Sequence, residues 1–218
     1  LDNARSGIVA GGGQNGISSG DEFTDAAIWT QGFGVYGDQD DKSGVRGYTA
    51  ATWGVAVGTD WRMSEATRLG VSFAYSQTDV DTNGDASNTD VDGYQGTVYG
   101  SYEGEPWYLD AMFAFGWNVY DGTRNIQFAS INRTATQDYD GQQYSTKFTF
   151  GYPLQIAENW SLVPIASLLY SHLSVDGFTE RGADALNLTV EDQSYDFLQQ
   201  GLGAKIVTEF SDGNNQKW

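Results

Sequence analysis

The sequence predicts an all-β protein, an antiparallel transmembrane β-barrel. Three observations predict this class: long segments in which apolar residues alternate with small or polar ones, connections that are alternately long and short, and aromatic residues near the segment ends. A tilted strand needs about 9–11 residues to cross the hydrocarbon layer of a bilayer, whereas strands in water-soluble proteins average about 5–6 residues. The longer segments favour a membrane barrel over a soluble β-sandwich.

The composition narrows the classes of partner. The chain has 218 residues and a formal net charge of −18, with 29 acidic residues against 11 lysines and arginines. Such a surface repels nucleic acid, so we expect no nucleic-acid partner. The absence of cysteine excludes disulfides and thiolate metal sites. No apolar run approaches the roughly 18 residues that a membrane-spanning helix needs.

Eight segments show the period of two that is typical of strands with one apolar face. In the second segment Trp53, Val55 and Val57 alternate with glycine and alanine, and in the first the same rule places Trp29 and Phe33 on the apolar face. The eight segments are AIWTQGFGVY, TWGVAVGTDW, TRLGVSFAYSQT, VDGYQGTVYGSY, WYLDAMFAFGWNV, YSTKFTFGY, WSLVPIASLLYS and YDFLQQGLGAKIVTEF.

The predicted connections alternate in length, as they do in outer-membrane barrels with short periplasmic turns and long outer loops. Tryptophans such as Trp29, Trp61 and Trp107 lie near the short connections, and tyrosines such as Tyr75 and Tyr94 lie nearer the long ones. This distribution predicts two aromatic girdles at the membrane surfaces. The long connections are 37–51, 77–92, 121–142 and 177–193, and the short ones are 62–66, 103–106, 157–159 and 211–217.

Small and polar residues are predicted to face the barrel lumen. Small side chains leave space, which we interpret as room for a threaded segment of backbone thickness; the alternative is that the glycines only bend the sheet. The charged members are expected either to pair, to contact a threaded segment or to line water. The predicted lumen-facing residues are Gly34, Gly54, Ala56, Gly58, Asp60, Arg68, Gly70, Ser72, Asp110 and Lys147.

One connection resembles the calcium loop of an EF-hand. Asp79, Asp81, Asn83 and Gly84, followed by Asp90 at the twelfth position, approach the pattern D-x-[DN]-x-[DN]-G-x₅-E. The flanking segments are strands, whereas an EF-hand needs helices. A weak calcium site in an ordinary loop, formed by Asp79, Asp81, Asn83 and Asp90, remains the only metal site that the sequence suggests.

No pattern in the sequence indicates catalysis. His172 is the only histidine, and neither G-x-S-x-G nor H-E-x-x-H occurs, so His172 is interpreted as a wall or girdle residue. We expect no catalytic residue, no bound cofactor and no enzymatic activity.

Several stretches together resemble the β-domain of type V autotransporters over about residues 26–210. They are WTQGFGVYGDQDDKSGVRGYTAATWGVAVGTDW, LGVSFAYSQTDVD, PWYLDAMFAFGWNVYDGTR and SLVPIASLLYSHLSVDGFTERGADALNLTVEDQSYDFLQQGLGAKI. The resemblance implies a twelve-stranded barrel in the outer membrane of a Gram-negative bacterium. Eight of those strands are present here, and the last ones are expected to follow Trp218.

The resemblance also implies the domain organisation and the function. Residues 1–25 correspond to a linker at the end of a pore segment, and residues 26–218 to the barrel domain. The function expected is that of a translocator and anchor, which exports a covalently linked N-terminal passenger to the cell surface. The expected partners are the outer-membrane bilayer, the protein's own passenger and the barrel-assembly machinery. The alternative is a passive outer-membrane pore or channel.

Overall fold

The structure is a computed structural model that describes residues 17–18, 26–42, 46–84, 87–157 and 159–208. The predicted linker, residues 1–25, lies outside the described residues except for 17–18. The strands are β1 (Ile17–Ser18), β2 (Ala26–Gln39), β3 (Tyr48–Arg62), β4 (Thr67–Thr82), β5 (Ser87–Glu103), β6 (Tyr108–Phe128), β7 (Ile131–Gly151), β8 (Leu154–Ala157), β9 (Trp160–Val175), β10 (Phe178–Thr179), β11 (Thr189–Val190) and β12 (Gln193–Thr208).

One antiparallel sheet of ten strands contains most of these elements. Its order is β1-β2-β3-β4-β5-β6-β7-β9-β12, with β8 also paired to β9, so strands that follow one another in the chain are neighbours in the sheet. Eight strands have between 14 and 21 residues. The predicted all-β class, the antiparallel pairing and the count of eight long strands are confirmed. No helix in the described part of the chain is long and apolar enough to span a membrane.

Three of the four predicted long connections, 37–51, 77–92 and 121–142, are wrong in their boundaries, whereas 177–193 agrees to within one residue. The segment 121–142 is not a loop, because β6 continues to Phe128 and β7 begins again at Ile131. Likewise β4 runs to Thr82 and β5 begins at Ser87, inside the predicted connection 77–92. Beyond the membrane-facing part of the strands the convex face also becomes polar, so the regular hydropathy alternation stops while the backbone ladder continues.

The sheet curls as half a barrel, with one concave and one convex face. Along β3, Gly54, Ala56, Gly58 and Asp60 are buried, while the intervening Val55, Val57 and the other odd-numbered neighbours are more exposed. Because the two faces of a strand alternate residue by residue, the small and polar set lines the concave side. The large apolar set lies on the convex side, where lipid would cover it.

Candidate functional site

The concave face collects nine of the ten residues that were predicted to face the lumen. Strand register places them on one side, because Gly58 pairs with Ser72, Asp60 with Gly70, and the same parity continues across β5 to β7. The nine residues are Gly54, Ala56, Gly58, Asp60, Arg68, Gly70, Ser72, Asp110 and Lys147.

Gly34 is a correction, because it pairs with Trp53 and lies on the convex face. The prediction inverted the two faces of β2. It placed Trp29 and Phe33 toward lipid, whereas Trp29 pairs with Gly58 and Phe33 with Gly54, both on the concave face. Trp29 is therefore not part of an aromatic girdle. The rule that large rings face lipid fails here because the glycines of the next strand make room for these rings on the other side.

Three of the glycines predicted to face the lumen are covered by rings from neighbouring strands. A Cβ atom added to Gly58 would lie 2.4 Å from the Trp29 ring, and one added to Gly70 would lie 2.3 Å from the Tyr99 ring. Phe33 covers Gly54 in the same way, at 2.3 Å. The interpretation of these glycines as empty space is therefore wrong: each receives an aromatic ring lying along the wall, an arrangement that satisfies an otherwise weak strand position.

A polar network joins these rings to charged side chains. The Trp29 Nε1 donates to the Tyr99 hydroxyl at 2.7 Å, and the Arg68 Nη1 lies 2.9 Å from Oδ1 of Asp60. Asp60 is only 9% exposed, so the arginine compensates a buried carboxylate. Of the alternatives left open for the charged residues, pairing holds for Asp60 and Arg68.

The sequence reasoning missed a second concave network. Gln143 donates from Nε2 to the Ser171 hydroxyl at 2.9 Å, and the hydroxyls of Ser145 and Ser171 are also 2.9 Å apart. These residues belong to β7 and β9, which pair side by side. The sequence signal lay in β7 alone, where Gln143, Ser145, Lys147 and Thr149 share one face. The same face of β9 is mostly apolar, so its partner Ser171 follows only from the strand pairing.

The convex face carries two aromatic girdles, as predicted. At the short-connection end, Trp107 contacts Tyr102 and Phe150, with ring centroids 5.3 and 6.0 Å apart. At the opposite end, Tyr75 contacts Trp53 at 6.1 Å and Tyr94 at 5.4 Å.

The spacing of the two girdles can be estimated along β3. Trp53 and Trp61 of β3 are eight residues apart, which corresponds to roughly 27 Å at about 3.4 Å per residue. Because strands of outer-membrane barrels tilt by about 35–45°, this length spans roughly 20 Å along the membrane normal, a little less than the apolar band of about 25 Å.

Above the girdle that contains Tyr75 and Tyr94, the convex face becomes acidic. Asp79 pairs with Asp90, Asp90 with Asp121, and Asp121 with Asp138, forming a row across β4 to β7. The hydrogen bond with Asp79 raises the pKa of Asp90, and burial and the charges of Asp79 and Asp121 raise it further. We call these four residues the acidic row.

The calcium loop predicted from Asp79, Asp81, Asn83 and Asp90 does not form. Asp79 and Asp81 extend β4, and Asp90 lies on β5. Asn83 turns away and donates from Nδ2 to Asp41 at 3.0 Å. The described residues contain no group of three acidic, histidine or cysteine side chains arranged to hold a metal ion.

His172 lies on the convex face, in the wall as the sequence analysis expected. Its Nδ1 lies 2.9 Å from Oδ1 of Asp196, which also accepts a hydrogen bond from the Tyr170 hydroxyl at 2.6 Å. Tyr75 and Asp92 repeat this tyrosine–aspartate contact at 2.6 Å between β4 and β5. In both cases a tyrosine of the convex face donates to an aspartate on the adjacent strand.

The outer end of the β6–β7 hairpin packs against the connection between β9 and β12. We call residues 120–139 and 176–190 the outer unit. Its centre is the buried apolar cluster of Ile126, Ala135 and Ala183, against which Leu186 packs. The sequence analysis identified this segment only as a long connection, 177–193, and its packing is a second feature that the sequence reasoning missed.

An ion pair is buried inside the outer unit. Arg124 donates from Nε to Oε1 of Glu180 at 2.8 Å and from Nη2 to Oε2. The Glu180 side chain is only 3% exposed and also accepts the backbone N–H of Leu188 at 2.8 Å. The bidentate bond to Arg124 holds the pKa of Glu180 below its ordinary value, and the same bond raises the pKa of Arg124.

Acidification is expected to release the 176–192 connection. The docked state prefers ionised Glu180, so its contribution is complete above the ordinary carboxyl pKa and is lost as the pH falls through the lowered pKa. Hydrogen exchange of the amides in 176–190, corrected for intrinsic rates, measures the release. Glu180→Gln should remove this pH dependence. A dependence that persists in Glu180→Gln would contradict the assignment and point to the more exposed pairs Arg133–Asp184 and Arg181–Asp138.

Together, the girdled convex face and the polar concave wall define an outer-membrane β-barrel. The sequence model of the Autotransporter beta-domain family matches residues 28–218. The chain therefore belongs to this family, which places it in the outer membrane of a Gram-negative bacterium.

Solved structures of two translocator domains are similar to this fold. The translocator domain of the autotransporter NalP from Neisseria meningitidis has a TM-score of 0.67 and 19% identity, covering 86% of this chain and 62% of that one. The beta domain of the Bordetella autotransporter BrkA has a TM-score of 0.60 and 19% identity, covering 88% and 73%.

The curated relatives are much longer proteins. Outer membrane protein B of Rickettsia prowazekii is 28% identical over 95% of this chain, which spans 13% of that protein. Outer membrane protein A of Rickettsia rickettsii is 29% identical over 96% of the chain, which spans 10% of that protein. Esterase EstA of Pseudomonas aeruginosa is 26% identical over 69% of this chain, which covers 24% of that protein.

Proposed function

We propose that this domain exports a covalently linked N-terminal passenger across the outer membrane and then anchors it at the cell surface. The observation that carries the proposal is the division of the sheet into a girdled apolar face and a polar, ring-lined concave face. A barrel with this division offers lipid contacts outside and a wet passage inside. Membership of the Autotransporter beta-domain family supports the same role.

The domain boundary is part of this proposal. We assign residues 1–25 to the linker that leads to the passenger and 26–218 to the barrel. The start of the family match at residue 28 and of β2 at Ala26 supports this division. The small fraction of the Rickettsia relatives that the chain spans leaves room for passengers of many hundreds of residues in those proteins.

The proposed role does not include catalysis by the barrel. On the concave face, Asp60 and Arg68 hold each other, and this pairing favours a structural or contact role over proton transfer. The similarity to Esterase EstA covers about a quarter of that protein, so the activity in its name need not lie in the shared part. Purified full-length barrel freed of its passenger should not hydrolyse short-chain esters; hydrolysis that is lost on changing a barrel residue would contradict this assignment.

The edge of the sheet indicates which partners the domain needs. β12 pairs only with β9 among the described residues, and its convex face carries Leu198, Leu202 and Ile206, all exposed. An open edge invites pairing with another strand. We assign this edge to further strands of a twelve-stranded barrel, with the barrel-assembly machinery as its partner before closure. The larger extent of the NalP and BrkA domains supports this view.

Surface exposure of the passenger tests the proposed function. In cells that make the full-length protein, deletion of residues 26–218 should abolish passenger on the surface, as measured by protease shaving of intact cells. Lys147→Gln, a single change on the concave face that leaves the barrel in place, is the control and should leave passenger on the surface. Undiminished surface passenger after the deletion would contradict export. A large, steady conductance in planar bilayers, with no passenger exported, would favour the passive pore instead.

A further inference from the structure

The connection 176–192 continues the barrel wall upward. β7 pairs with β9 only from Gly141 to Gly151. The backbone groups on this edge of residues 131–140 are therefore available to another segment. The Asp176 N–H donates to the Asp140 carbonyl at 2.8 Å, and Thr136 and Arg181 exchange two backbone hydrogen bonds of 2.8 and 2.9 Å. The connection therefore adds a partial strand to an edge that would otherwise expose unpaired backbone groups.

Aromatic stacking and the apolar cluster hold the connection on the concave side of the hairpin. Phe178 stacks on Tyr139 with ring centroids 4.5 Å apart, and Tyr139 stacks on Tyr120 at 4.7 Å. Ala135 of β7 and Ala183 of the connection are both fully buried. The connection thus closes a small core over the inner surface of the outward hairpin.

The Arg124–Glu180 pair spans this core from β6 to the connection. Glu180 receives both arginine bonds and the Leu188 N–H, while Arg124 also donates to the Leu186 carbonyl at 3.0 Å. Every strong bond of the pair therefore joins the hairpin to the connection or folds the connection on itself. Removing one partner leaves a buried, uncompensated charge, which is far more damaging than losing an exposed pair.

We propose that Arg124 and Glu180 form a latch that pins the connection to the wall and keeps the outlet of the barrel clear while the passenger emerges. This inference rests on the proposed export function. The connection docks on the concave side, next to the outer opening of the barrel. Once released, it would be free to move into that opening and obstruct the emerging passenger. The docked state is then the state in which export proceeds.

Breaking the latch tests the proposal in intact cells that make the full-length protein. Glu180→Gln should speed proteolysis between residues 176 and 192 by about tenfold or more, because cleavage tracks the population of the open state. The same variant should slow the appearance of passenger on the surface in a pulse-chase measurement. Arg181→Gln removes only the exposed pair with Asp138 and should change both rates by less than about twofold. Unchanged proteolysis in Glu180→Gln would overturn the latch.

An engineered disulfide between the connection and β7 tests whether the connection stays docked during export. Thr136 and Arg181 are partners in an antiparallel bridge, where Cα atoms are about 5.5 Å apart, a separation that suits a disulfide. The 218 residues contain no cysteine, so the double variant Thr136→Cys/Arg181→Cys introduces the only two thiols among them.

The oxidised double variant should export passenger at the rate of the reduced double variant. Export slowed by about tenfold on oxidation would mean that the connection must leave the wall, and would overturn the proposal. Failure of the proposed function has a different signature: the unmodified protein would show no surface passenger, whereas the proteolysis rates would still report on the latch.

Discussion

Val98→Arg is expected to destabilise the folded barrel by about 2–4 kcal/mol, the cost of an arginine at the bilayer midplane. Val98 is 58% exposed on the convex face. It lies halfway between Tyr94 and Tyr102, which belong to the two girdles on β5. The guanidinium therefore has the longest route to either headgroup layer. Urea unfolding of the full-length protein in lipid vesicles, followed by the heat-dependent band shift of the barrel, measures the loss.

Gln95→Arg is the matched control, because it introduces the same side chain three residues away on the same strand. Gln95 pairs with Ala74 and Gly116 on the concave face and is exposed there. Its arginine would remain in water, so the change in unfolding free energy should stay within about 0.5 kcal/mol, as at ordinary exposed sites. Equal losses for the two variants would show that the convex face is not the lipid face.

Gly58→Ala should cost about 1–3 kcal/mol, the usual effect of forcing extra volume into a packed position. The new Cβ would lie 2.4 Å from the Trp29 ring, so the indole must move. That movement breaks its 2.7 Å hydrogen bond to Tyr99. The same unfolding measurement detects the loss, and a red shift in tryptophan emission should accompany it.

Gly96→Ala is the corresponding control. Gly96 pairs with Phe73 and Phe115 on the convex face, and nothing lies within 4 Å of an added Cβ. Alanine there should be neutral or slightly stabilising, since it restricts the unfolded chain without a clash. If Gly58→Ala were as well tolerated as Gly96→Ala, the ring of Trp29 would not be packed against Gly58.

The alternation of residue types was enough to predict most of the fold. Period two is a local property of a strand, so Val55 and Val57 on one side and Gly54 and Ala56 on the other could be assigned from the sequence. The ends of the strands could not, because Asp121 and Asp138 lie in polar segments where hydropathy carries no period. In these segments backbone hydrogen bonds between neighbouring strands extend the sheet. The side-chain pattern there does not indicate a strand.

The concave site depends on pairs that are distant in the chain. Trp29 faces inward because Gly58 lies opposite it, and the parity of β2 alone gave the reverse answer. Arg124 and Glu180 are 56 residues apart, and nothing near either residue indicates a partner. Such contacts follow from strand register, which a single sequence specifies only after the strand pairing is known.

The acidic row has a consequence for how deeply the barrel sits. Sinking by a few ångströms would carry whichever of Asp79, Asp90, Asp121 and Asp138 lies lowest past the girdle into hydrocarbon, where ionised carboxylates are strongly disfavoured. Rising by the same amount would expose the apolar side chains below them to water. The four carboxylates therefore limit how deeply this side of the barrel can insert into the membrane. They also set the height of the outer unit above the membrane surface.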